Sequence, residues 1–562
     1  MKFMQKWGIL FVVFSFLFSC TSTENGADSI FYNGIIYTVD ENFSVAEAIV
    51  IEDETIVFVG PTSEAMKYAD DRTNKVDLKG KTVVPGLTDS HCHFLGIGKR
   101  AFYLNLDGST SLDDFLNRIK AEVKQKEKDE WIIGRGWIEE DWPQKKFPTR
   151  YDLDKISTTN PMILTRADGH AVVANSRALE IAGIDKKTPN PEGGHIERDK
   201  KSGLATGIFV DNAIDLISIF APADTTPDMV RKFALKAQEV SFKYGLTQLH
   251  DMGIKWPRID ILKEMYAKDE LKIRLHSYVS APGLDATKLL EEGSQVSLYD
   301  SRLTIRGIKC YQDGALGSRG AALLAPYSDA NSNGLLLTPQ NELYTVIRQA
   351  TEKGIQVATH AIGDRGNRLI LDLYEKVLHE VPVEDRRVAD PRHRVEHAQI
   401  VAPEDIPRFA KLGIIPSMQP SHAIGDLHFA VRRLGKDRMT RGYAWRSFID
   451  NGCIIPGGSD APVEEGNPMI EFYAASVRKD TTGFSNADWH PELRLSREES
   501  LKMLTSWAAY AGFEENIKGT LEKGKLADFT VLNKDLMNCA DDELFNIQVE
   551  LTVLGGEIVF QN

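Results

Sequence analysis

His91 and His93 flank Cys92 at the end of the run Pro85-Gly86-Leu87-Thr88-Asp89-Ser90. On an extended strand, residues i and i+2 point to the same side, so both imidazoles can share one space while Cys92 turns away. Two convergent neutral imidazoles are good ligands for a divalent metal. Alone, His-x-His is a weak signal that also arises in ordinary strands. Four more residues give it weight. Lys309 follows Ile305-Arg306-Gly307-Ile308, His360 follows Gln356-Val357-Ala358-Thr359, His397 follows Arg394-Val395-Glu396, and Asp460 follows Gly457-Gly458-Ser459. A single buried His, Lys or Asp reads as a satisfied core polar group. Six such residues, each ending one of five apolar runs, read as a metal centre.

Those runs belong to a set of eight: Val83–Asp89, Leu246–Asp251, Ile273–Val279, Leu303–Tyr311, Ile355–His360, His393–Ala398, Ile414–Gln419 and Cys453–Ser459. Amphipathic stretches such as Pro227–Tyr244, Asn341–Lys353, Ile362–Val377 and Glu404–Leu412 lie between several of them. Buried strands alternating with helices predict an α/β fold, a closed parallel (β/α)₈ barrel of the TIM type, with chemistry at the C-terminal ends of its strands. Ser496 and Glu499 have capping-box spacing and predict the start of a helix running toward Phe513.

Both chain ends differ from this rhythm. Ile30-Phe31-Tyr32, Asn33-Gly34 and Ile35–Val39 predict a hairpin, followed by short strands up to Val84. The tail repeats the character at Asp528–Leu532, Glu550–Leu554 and Glu557–Phe560, so residues 29–86 and 515–562 are expected to form one small β-sandwich domain. The first barrel strand falls in 87–100 and the rest of the barrel in 227–514. The intervening 101–226 is too long for a crossover and is expected to be an inserted α+β subdomain over the barrel mouth.

The motifs Pro85–His93, Lys309–Arg319, His360-Ala361-Ile362-Gly363-Asp364, Arg394–Gln399, Gly458–Val463 and Gly519–Phe529 resemble the amidohydrolase superfamily, and within it amidohydrolase family 3, which includes proteins like N-substituted formamide deformylase. The resemblance runs from about Ser29 to the C-terminus. It implies that His91, His93 and Asp460 hold one ion and His360 and His397 a second. Lys309 then stands where binuclear members carry a carboxylated lysine bridging both. It further implies hydrolysis of an amide, N-acyl or N-formyl C–N bond in a small molecule. Metal-activated water would attack, and Asp460 would shuttle the proton. Four imidazoles with carboxylate-type ligands suit zinc and also admit iron, manganese or cobalt, one or two ions per chain.

Asp89, Asp364 and Glu396 are candidates to orient the imidazoles, and read equally as turn or surface acids. Asp313 and Arg319 resemble the family's loop at the barrel mouth, where a guanidinium can clamp a substrate carboxylate or pair with a structural acid. His422, His170 and His250 are further substrate-pocket candidates, each also readable as a structural histidine. A deaminase on this scaffold commonly has a glutamate where Gly363 stands, which counts against deamination. A lactonase or phosphotriesterase shares the ligands, and a non-catalytic binding lipoprotein is the reading from another class.

The 562 residues carry 67 basic and 81 acidic side chains, a net charge of −14, which argues against nucleic acid as a partner. Hydrophobic residues make up 42% and charged residues 26%, an ordinary globular balance. The five cysteines are scattered without a C-x-x-C pair, so no disulfide framework is expected. Residues 1–19 read as a signal peptide, with Lys2 and Lys6 before an apolar run from Ile9 to Phe18. Leu17-Phe18-Ser19-Cys20 resembles a bacterial lipobox, which implies cleavage before Cys20, lipid on its thiol, a tether over 20–28 and an exported, membrane-anchored protein. The oligomeric state is left open, a homodimer included.

Overall fold

Seven parallel strands surround the centre of the protein in its computed structural model, which describes residues 26–562 apart from 168, 192 and 193. They are β1 (Leu87–Cys92), β2 (Leu246–Ile254), β3 (Arg274–Ser280), β4 (Leu303–Tyr311), β5 (Gln356–Ala361), β6 (Arg394–His397) and β7 (Ile415–Ser417). Each pairs with its sequence neighbour, in chain order around the ring. Outward residues such as Leu249, Leu275, Ile305, Ile308, Val357 and Val395 are fully buried in one large apolar cluster with the surrounding helices. Each such side chain contributes roughly 1.5–3 kcal/mol by leaving water.

The expected eighth strand, Cys453–Ser459, is not regular. It fills the gap between β7 and β1 through single hydrogen bonds: Met418 N–H to Pro456 O (3.1 Å), Gly458 N–H to Met418 O (3.2 Å) and Ser90 N–H to Gly457 O (2.9 Å). Pro456 has no N–H to give. The chain at Met503 and Leu504 also accepts from Gly457 (3.0 Å) and Thr88 (2.8 Å), taking bonds that a continuous ladder would use. The ring is therefore nearly closed.

Helices pack closely outside the ring. Pro227–Lys243 starts with Thr226, whose side chain accepts from Met229 N–H, and Pro227 sits in the first turn where it lacks no needed donor. It lies across Phe94–Phe102 at Gly98, where a Cβ would stand 1.8 Å from Phe233 O. Only glycine permits that approach. Ser496 caps as expected, but the helix is two pieces, Arg497–Met503 and Ser506–Ala511, because the chain turns at Leu504 and Thr505 to meet β1.

The two chain ends share a sheet. Phe529–Leu532 runs antiparallel to Thr82–Pro85, and Phe31, Ile49, Val83, Phe529 and Val553 are buried together. The expected hairpin at Asn33-Gly34 does not form. Ser29–Tyr32 pairs with Ala48–Glu52 and Asn74–Asp77, whereas Ile35–Tyr37 pairs with Thr82–Pro85 and Val45–Ala46 in the second sheet. Asn33, at φ 59°, turns the chain from one sheet to the other instead of folding it back.

Between β1 and Pro227 a six-stranded sheet, from Leu104–Asn105 to Ala205–Asp211, carries its own helices and two apolar clusters, one around Trp137 and Trp142, the other around Phe209. Among the described residues no helix is long and apolar enough to cross a membrane. The expected signal peptide and Cys20 lie outside the described residues.

Candidate metal centre

β1 ends by turning His91 into the barrel. Its ring is fully buried, Nδ1 is bonded to Glu396 Oε2 at 2.5 Å, and Nε2 faces Lys309 Nζ at 3.3 Å and Asp460 Oδ1 at 3.6 Å. His93, one residue past the strand, donates Nδ1–H to Met252 O at 2.7 Å and turns Nε2 to Asp460 Oδ1 at 3.2 Å. Both Nδ1 atoms are thus occupied, and Nε2 is the nitrogen that each ring turns toward Asp460 and would offer to a metal. Cys92 points the other way, into the apolar layer.

His360 at the end of β5 and His397 at the end of β6 have ring centres 4.5 Å apart, and His397 lies 4.8 Å from His91. His397 and Ala398 have φ of 74° and 40°, and Asp460 has φ of 59°. Side chains rarely adopt this backbone, and such strain collects at functional sites. Asp460 N–H donates to His91 O at 2.6 Å, which brings its carboxylate between the histidines. Their proximity holds that carboxyl far below the usual range, against the opposing effect of burial.

Three imidazole nitrogens in this space, His360 Nε2, His397 Nδ1 and His422 Nε2, are buried without a hydrogen-bond partner. Burial and neighbouring charge push His91 to about 4 and His360 to about 3, so both rings stay neutral. Neutral imidazoles with unused lone pairs around a carboxylate fit a divalent cation. His91, His397 and Asp460 alone bring three ligand atoms within 4.8 Å of one another. Lys309 is buried beside them, and burial lowers its amine to about 8.

The remaining candidates separate. His422 joins the centre, stacked on His397 and 3.6 Å from Asp460 Oδ2. His250 does not reach it: the ring is buried in β2, with Nδ1 accepting from Arg394 at 3.0 Å. His170 lies on the surface of the inserted unit, 76% exposed, bonded to Asp211. Arg319 pairs with a structural acid, Nε and Nη2 both gripping Asp329 at 3.0 Å. Asp313 is fully buried and accepts from the N–H groups of Ile362 (2.8 Å), Gly363 (2.9 Å) and Ala322 (2.8 Å), tying two loops together. Burial outweighs those donors and pushes its carboxyl up to about 7.

Of the three expected orienting acids only Glu396 touches an imidazole. Asp89 binds the N–H of His91 and Ser459 and the Ser459 hydroxyl, joining the two ligand-bearing segments. Asp364 accepts from Leu324 N–H. Sequence reading passed over Arg394, although opposite charges at i and i+2 in the apolar run Arg394-Val395-Glu396 were a visible signal. It also passed over a second buried group, His250, His276 and Glu514.

Barrel and donor set together define a metal-dependent hydrolase. The amidohydrolase family model matches residues 75–560, and the chain belongs to that family. It is 33% identical over 541 residues to the putative amidohydrolase YtcJ of Bacillus subtilis, covering 95% of this chain and 99% of that one. It is 28% identical to N-substituted formamide deformylase of Arthrobacter pascens, with 95% and 98% coverage. A crystal structure of an uncharacterized metal-dependent hydrolase from Pyrococcus furiosus superposes with a TM-score of 0.71 at 27% identity, covering 91% of this chain and all of the other.

Proposed function

We propose that this hydrolase cleaves a non-peptide C–N bond, an amide, N-acyl or N-formyl linkage of a small molecule. The observation that carries the reading is Asp460, whose Oδ1 faces His91 and His93 while three buried imidazole nitrogens beside it lack partners. His91, His93 and Asp460 would hold one ion, and His360 and His397 a second, zinc being the best match to the donors. Carboxylated Lys309 would bridge them, because a neutral lysine amine can add carbon dioxide whereas an ammonium there would oppose the ions. Metal held by these residues would lower the pKa of a bound water and polarise a substrate carbonyl. Asp460 takes the proton of the attacking water and returns it to the leaving nitrogen. Arg319 is left out of substrate binding in this reading, and His422 is the pocket residue nearest Asp460.

Deamination is disfavoured by Gly363. A Cβ there would lie 2.0 Å from Ala322 O, so no glutamate shuttle fits at that position. The test is turnover of matched N-formyl and N-acyl amines, esters and aminated heterocycles by the zinc-loaded protein and its Asp460→Asn variant. Amide turnover lost in the variant supports the reading, and turnover confined to esters or heterocycles overturns it. Export and membrane attachment through Cys20 belong to the same proposal. Cys20→Ser should move the chain from the membrane to the soluble fraction, and an unchanged distribution counts against the anchor.

A further inference from the structure

Arg394 spans the inside of the barrel with no exposed surface. Its Nε donates to Glu396 Oε1 at 2.7 Å, and Nη2 reaches Glu396 Oε2 (3.1 Å), Ser90 O (2.7 Å) and Ser417 Oγ (2.7 Å). Nη1 donates to His250 Nδ1 and Tyr278 Oη, both at 3.0 Å. One guanidinium therefore connects β1, β2, β3 and β7 to its own strand β6. Its fork grips both oxygens of Glu396, and Glu396 Oε2 is the atom that accepts from His91 Nδ1. A buried carboxylate with a single partner would be costly and free to turn. Two fixed donors leave it one orientation.

We infer that Arg394 is a positioning residue for the metal centre, holding Glu396 so that His91 keeps its proton on Nδ1 and presents Nε2 to the ion. The same contact fixes the role of one nitrogen of His250. Arginine only donates, so His250 Nδ1 is an acceptor and this ring supports Arg394. Lysine cannot replace the arginine, because a point charge supplies neither the paired donors to Glu396 nor the reach to four other strands. Second contacts of this kind commonly govern metal affinity by about 10- to 100-fold. The inference rests on the metal-centre reading above.

The experiment uses the full chain and cobalt(II) as the probe, measuring affinity by chelator competition and the visible spectrum of the bound ion. Arg394→Lys is compared with Arg274→Lys, which disturbs an equally buried pair with Asp528 away from His91. The expected result is cobalt affinity weakened about 10- to 100-fold with an altered spectrum in Arg394→Lys, and wild-type behaviour in Arg274→Lys. Unchanged affinity and spectrum in a folded Arg394→Lys overturn the inference, as does equal weakening in both variants. If circular dichroism shows Arg394→Lys unfolded, Glu396→Gln carries the same test: weakened binding supports the relay and wild-type binding overturns it. A wild-type chain that binds no cobalt overturns the metal centre itself, and the relay with it.

Discussion

Lys309 Nζ lies 3.3 Å from His91 Nε2 inside the barrel, and no acidic partner holds it among the described ion pairs. Glu396 occupies the opposite nitrogen of that imidazole, so Nε2 carries the lone pair that the lysine faces. Burial brings the amine to about 8, which leaves a useful neutral fraction near physiological pH.

The first prediction concerns that amine. The zinc-loaded protein should hold about two ions, and Lys309→Ala about one, with kcat down at least about 100-fold. Metal analysis per chain checks it. Equal content in both proteins would leave Lys309 without a role as a ligand.

Removing metal should also cost stability, because an ion that binds only the folded chain stabilises it by RT ln(1 + [L]/Kd), about 4 kcal/mol at a thousandfold excess over Kd. Chelation should lower Tm by several degrees and readded zinc should restore it. His360→Ala and His397→Ala, which remove two of the unpartnered nitrogens, should shrink that difference. A Tm indifferent to chelator would contradict the centre.

Asp313 makes its own prediction. Asp313→Ala strands three buried backbone N–H groups and should cost about 3 kcal/mol or more in denaturant unfolding. Arg319→Ala, removing only a partly exposed ion pair, should cost about 1 kcal/mol or less and leave KM within about threefold of wild type. A large rise in KM would return Arg319 to the substrate site.

His393 supplies a pH dependence away from the centre. Its Nδ1 accepts from Val357 N–H (3.0 Å), its Nε2 pairs with Thr351 Oγ1 (2.8 Å), and burial lowers it to about 3 from an ordinary value of 6.5. The unfolded chain binds the extra proton between those values, so this contribution is complete above about 6.5 and declines as pH falls toward 3. Between pH 7 and 4.5 the loss is about 2–3 kcal/mol. In the metal-free protein, His393→Asn should lose less stability over that interval by this amount, read from urea unfolding at both pH values.

Much of the centre was legible in the chain. His91-x-His93, His360, His397, Lys309 and Asp460 each end an apolar run, and strand periodicity alone turns such residues toward one interior. The two β-rich ends announced themselves through local alternation in the same way. Partner choice was not local. Asn33-Gly34 favours a reversal in any short peptide, yet the strands on either side of it find different sheets because Phe31 and Ile36 are both buried against strands distant in sequence. Cys453–Ser459 had the composition of an eighth strand, but Met503, distant in sequence, took the N–H of Gly457 and Leu504 took that of Thr88 on the facing strand β1. Arg319 and Asp313 have the chemistry of substrate contacts, but their partners, Asp329 for the one and three backbone amides for the other, could not be read from the chain. Residue type and spacing determined which side chains can ligate an ion. Tertiary structure alone decided which donors stay unpaired to do so, because a hydrogen bond depends on distance and angle between groups that the chain separates by hundreds of residues.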